Sequence, residues 1–157
     1  MSSTPAPGSP TPASQPPATA AAGPWQAVQP AGWAPPVGYA NGVLAHGATR
    51  RLYVAGQVAF GPDGRLRHAG DLVAQATLAF ANVRAVLDAA GARPEHVVRM
   101  RLFVRSAAAY AEHAAAIGKG WRTHLGRWFP AMTLVEVARL YEPEALIEVE
   151  ADAEIPL

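Results

Sequence analysis

The stretch Phe129-Pro130-Ala131-Met132-Thr133-Leu134-Val135-Glu136-Val137-Ala138-Arg139-Leu140, followed shortly by Ile147-Glu148-Val149-Glu150-Ala151, decides how this chain is read. It predicts two strands, about Met132 to Leu140 and about Leu146 to Ala153, with a turn at Glu142-Pro143-Glu144. In the second strand Ile147, Val149 and Ala151 point one way, and Glu148, Glu150 and Asp152 the other. That is the period of two of a strand with one apolar face. With the apolar side turned to helices, three carboxylates stand on the helix-free face, and Glu136, Arg99, Arg101 and Arg105 are expected beside them. Two readings of that face stay open: a solvated antiparallel surface, or a subunit interface where opposite charges pair around a cleft.

Working outward, His96 to Arg105 alternates apolar and polar residues and reads as a strand. An alanine-rich helix is expected from about Ala107 to Leu125. Before them, Leu72, Ala76, Phe80, Val83, Leu87 and Ala90 recur at spacings of three and four, one apolar stripe of a helix. Asp71 stands at its N-cap and Gly91 just past its end. Nearer the N-terminus, the apolar runs Gly42–Gly47 and Leu52–Val58 suit a hairpin through Ala48-Thr49-Arg50-Arg51, and Pro62-Asp63-Gly64 is a turn. The order is ββαβαββ. Runs of strands flanking helices predict an α+β sandwich, a single mixed sheet with two helices on one face.

The chain has 157 residues, enough for one domain plus an extension. Residues 1–24 are Pro, Ala, Ser, Thr and Gly without charge, and are expected to form a disordered tail. Residues 25–36 read as an extended linker docked on the domain by Trp33, and 37–157 as the domain itself. Net charge is +1, so no nucleic-acid or membrane partner is expected. The absence of cysteine excludes disulfides, a thiol nucleophile and Cys-ligated metal. His46, His68, His96, His113 and His124 lack metal spacing, so no metal is expected. There is no run of 18 apolar residues and no signal-peptide pattern, which predicts a cytoplasmic protein. Ser106 lacks a nucleophile-elbow context, and Gly118-Lys119-Gly120 lacks that of a phosphate loop.

Several landmarks, in order, carry a family resemblance. They are Gly38-Tyr39-Ala40-Asn41-Gly42-Val43, Ala55-Gly56-Gln57-Val58, Gln75 and Asn82, Gly91 with Val97-Val98-Arg99-Met100, and the Pro130 and Glu148 segments. Over about Pro36 to Ile155 the chain resembles the Rid family, the RidA/YjgF-like deaminases of reactive enamines and imines. The resemblance implies a chorismate-mutase-like fold and a homotrimer with ligand clefts between subunits. It implies hydrolase chemistry without a cofactor. By position, Glu148 would activate the attacking water and Tyr39 would donate a hydrogen bond at the cleft. Backbone groups at Gly56 and near Leu134 would meet an anionic ligand oxygen.

The departures are as informative. The family's substrate-gripping arginine is replaced by Met132, its serine by Ala55, its cleft cysteine by Leu134, and its second-helix asparagine by Ala114 or Ala115. An arginine–carboxylate fork is a strong bidentate contact, and methionine offers only a soft apolar wall. The substrate-binding set Ala55, Gly56, Met132 and Leu134 therefore implies a largely apolar small-molecule ligand rather than a small 2-imino acid. Whether Arg99, Arg101 or Arg105 supplies the missing cation stays open. So does the choice between an enamine/imine deaminase and a non-catalytic ligand-binding or regulatory trimer. Ribonuclease chemistry is disfavoured, because the chain has no basic stripe with interleaved aromatics and no catalytic histidine pair.

Overall fold

The computed structural model describes residues 25–28, 30–33, 36–45 and 47–157; the expected tail, 1–24, lies outside them. The main sheet has four strands in the order β3-β6-β4-β5: β3 is Thr49–Gln57, β4 Val97–Val104, β5 Ala131–Glu136 and β6 Ile147–Pro156. A separate ribbon pairs β1, Trp25–Val28, with β2, Gly42–Ala45. The helices are α1, Leu72–Ala89, α2, Ala107–Glu112, and α3, Ala114–Leu125. This is the expected α+β class: one mixed sheet, in which β4 and β5 run parallel, with the helices packed on one face.

Helix α1 forms as its sequence dictates. The Asp71 carboxylate accepts from the Ala74 backbone N–H at 2.9 Å, and Gly91 takes φ +69° past the C-terminus. Ala76, Phe80, Val83 and Leu87 are fully buried against Met100, Leu102, Ile147 and Val149 of the sheet. Burying each such large side chain stabilises by about 1.5–3 kcal/mol. Two polar residues of α1 join it to loops. Buried Gln75 donates to the carbonyls of His68 and Glu144 and accepts from the Leu146 N–H at 2.8 Å. Asn82 donates to the carbonyls of Val58 and Phe60.

Several expectations are corrected. The proposed hairpin does not form: β2 pairs with β1, while β3 pairs antiparallel with β6. Leu52 and Val54 pack on the core only if β3 joins the main sheet, and Arg50 and Arg51 lie inside that strand instead of linking two. β5 ends at Glu136, short of Leu140, and β4 separates it from β6. The second helix breaks at His113, which ends α2 and precedes α3. A second indole ahead of the domain, Trp25, packs edge-on to His96 and Trp128 at 5.1 and 6.2 Å, while Trp33 is 63% exposed. Glu136 is not on the helix-free face. It pairs in register with inward-facing Val104, and its carboxylate accepts from the Ala107 N–H at 2.8 Å, holding the start of α2.

Candidate functional site

Three local features build one hollow. Gly38, at φ +77°, turns the chain so that the Ala40 N–H donates to the Pro130 carbonyl at 2.9 Å, which sets Tyr39 beside the start of β5. β5 is an edge strand of the sheet, and Met132 and Leu134 share the face of Met100 and Leu102, towards the helices. Ala114, Ile117, Gly118 and Trp121 recur on one side of α3. Between these elements lies a cavity of about 670 Å³ whose wall includes Tyr39, Tyr110, Trp121, Phe129, Met132 and Leu134.

Aromatic rings anchor the wall. Trp121 stacks on Phe129 with centroids 5.7 Å apart and meets Phe80 edge-on at 5.3 Å. Such pairs contribute about 0.5–1.5 kcal/mol beyond their buried area, so the wall is held in place before any ligand arrives. Burial pushes the Tyr110 phenol above its ordinary range, leaving a neutral hydroxyl in the wall. The Trp121 indole nitrogen is buried with no hydrogen-bond partner among the described residues.

Glu148 is elsewhere. It lies on β6, on the helix-free face, opposite Phe103 of β4. Its carboxylate rests directly over Gly56, where any added Cβ would overlap it. The β3–β6 register shifts between Val54 and Gln57, so Ala55 and Gly56 form an irregularity that receives the Glu148 side chain. Burial, then the neighbouring Glu150 charge, raise the Glu148 carboxyl above the usual carboxylate range. It has no hydrogen bond or ion pair among the described residues. Arg101 instead donates to Glu150 at 2.7 Å and to Asp152 at 2.9 Å.

The six sequence-derived candidates thus fall into two groups. Tyr39, Met132 and Leu134 line the cavity on the helix side of the β5 edge. Ala55, Gly56 and Glu148 meet on the opposite face, across β4. One chain does not bring them together. Sequence reading missed Tyr110, Trp121, Arg122 and Phe129, although the spacing 110, 114, 117/118, 121/122 is a helical signal in its own right. Among the described residues no three His, Asp or Glu side chains cluster as metal ligands.

This arrangement defines an α+β sandwich with an aromatic hollow at the β5 edge of its sheet. Residues 32–155 match the protein family described as Endoribonuclease L-PSP. A RutC family protein of Synechocystis sp. is 33% identical over 122 residues, 77% of this chain and 89% of the relative. Among solved structures, YyfB of Yersinia pestis, a Rid-family protein of unknown function, superimposes with TM-score 0.75 at 34% identity, over 84% of this chain and 99% of that one. The YjgF gene product of E. coli gives 0.56 at 30% identity, over 74% and 87%. The chain belongs to the Rid family, and its fold is the chorismate-mutase-like fold of those neighbours.

Proposed function

We propose that this chain assembles as a homotrimer, in which Glu148 and Gly56 of one subunit complete the aromatic hollow at the β5 edge of the next. The composite cleft binds a small, largely apolar molecule and hydrolyses an enamine or imine. Glu148 accepts a proton from the water that attacks the C=N carbon, and the amine leaves as it gains one, giving a carbonyl compound and ammonia. Small 2-imino acids are poor substrates because Met132 stands where a carboxylate clamp would be needed.

The observation that carries the reading is the state of Glu148. A half-buried carboxylate with a raised pKa and no ion pair, beside an Arg101 that pairs with its neighbours, is suited to take up a proton. A carboxylate of purely structural use would be expected to share that arginine. The test is ammonia release from freshly generated imines of increasing apolar bulk, with wild type and Glu148→Gln. Turnover of the bulky imines, its loss in Glu148→Gln, and none of iminopyruvate are expected. Saturable binding of the bulky compounds without turnover of any would show a binding protein instead.

A further inference from the structure

We infer that Arg122 is the specificity-determining cation of this cleft, and that the ligand is an amphipathic carboxylate whose apolar body fills the aromatic hollow while its charge meets α3 instead of β5. This rests on the reading above that the hollow is the ligand site. Among the described residues Arg122 is the one charged side chain lining the cavity; it stands on α3, whereas Met132 and Leu134 stand on β5. It is exposed and has no ion pair or side-chain hydrogen bond among the described residues.

Its direction is set by a glycine one turn earlier. A Cβ at Gly118 would lie 3.4 Å from the Arg122 Nη1, so the guanidinium runs back over Gly118, itself in the cavity wall, as long helical side chains do. An arginine serving the C-terminal end of α3 would reach the other way, towards Leu125 and Gly126. The other cations are accounted for differently. Arg101 is paired with Glu150 and Asp152, Arg99 borders a hollow with Arg51 and Glu154, and Arg105 borders one with Arg139 and Tyr141. None of these lines the cavity of Met132.

The cavity, about 670 Å³, lies within the range of about 300–1,000 Å³ that accommodates drug-sized ligands. With the one cation on α3 and apolar side chains on both α3 and β5, the cavity suits a ligand with a charged end and an apolar body large enough to fill it. An arylalkyl carboxylate meets both demands; a two- or three-carbon acid does not.

The experiment compares 4-phenylbutyrate with its uncharged amide by calorimetry and by the change in tryptophan fluorescence, in wild type, Arg122→Met and Arg122→Lys. We expect the acid to bind wild type at least tenfold tighter than the amide. Arg122→Met should abolish that preference by weakening the acid alone, and Arg122→Lys should restore part of it. Equal wild-type affinity for acid and amide would overturn the role of Arg122 while leaving the hollow as the ligand site. So would equal weakening of both in Arg122→Met. Binding of neither compound to folded wild type would overturn both readings.

Discussion

At the scale of the residue, the glutamate and the histidine that the fold buries oppose one another in pH. The Glu148 carboxyl is raised by burial and by Glu150. Its stabilising, protonated form persists below the ordinary carboxylate value, and that contribution is lost as pH rises through the raised pKa. Glu148→Gln should therefore melt higher than wild type at pH 7 to 8, and like it well below pH 4, in a thermal series across pH. A residue that lowers stability yet is needed for turnover is the signature of a functional site. His96 runs the other way. Its Nδ1 accepts from the Arg93 N–H at 3.2 Å, its Nε2 is buried without a hydrogen-bond partner among the described residues, and burial lowers its pKa below 6.5. Its contribution is complete above 6.5 and is lost as pH falls through the lowered value. Between pH 7 and pH 5 the melting temperature of wild type should fall relative to that of His96→Gln, which keeps an acceptor but does not titrate.

At the scale of the element, the hollow depends on how closely α3 approaches α1. Gly120 allows it: a Cβ there would overlap the Thr77 hydroxyl and come 3.3 Å from the Thr77 backbone. Gly120→Ala should lower stability by about 1–3 kcal/mol in urea unfolding, the usual cost of overpacking. Adding Thr77→Ala should recover part of the loss: it removes the hydroxyl, the nearest obstacle, but keeps the Thr77 Cβ at 3.1 Å. α1 was legible in full, since its cap, stripe and terminal glycine all lie within one element. The break at His113 was not. Ala107 to Leu125 has helix-forming residues throughout, and the bend follows from fitting α2 beside Glu136 and α3 beside Thr77.

At the scale of the whole molecule, the two groups of candidate residues on opposite faces of one sheet are what the proposed trimer would bring into one cleft. Light scattering should return three times 16.4 kDa at micromolar concentration; a clean monomer would defeat the assembly. Subunit mixing gives a sharper test. Glu148→Gln leaves the β5 wall intact, and Leu134→Trp blocks that wall but leaves Glu148. In a cyclic trimer every mixed assembly contains one unaltered cleft, so statistical mixing should restore about a quarter of wild-type activity from two inactive proteins. No restoration would mean that each site lies within one chain.

What the sequence by itself determined is what depends on neighbours along the chain. The period-two alternation of β6, the capped stripe of α1 and the φ-demanding turns are local, and the order of these elements was enough for the α+β class. The apolar replacements at Met132 and Leu134 were legible too, once set against the Pro130 segment. Tertiary structure decided strand partners, because pairing depends on which apolar faces meet: β3 joined β6, and the proline-flanked Trp25–Val28 took β2. It also decided which cations matter. Arg99, Arg101 and Arg105 alternate on the sequence and attract attention, yet it is Arg122, drawn over Gly118 by the helical turn, that reaches the cavity. Placement across a sheet is a property of the folded chain, and no spacing along the sequence encodes it.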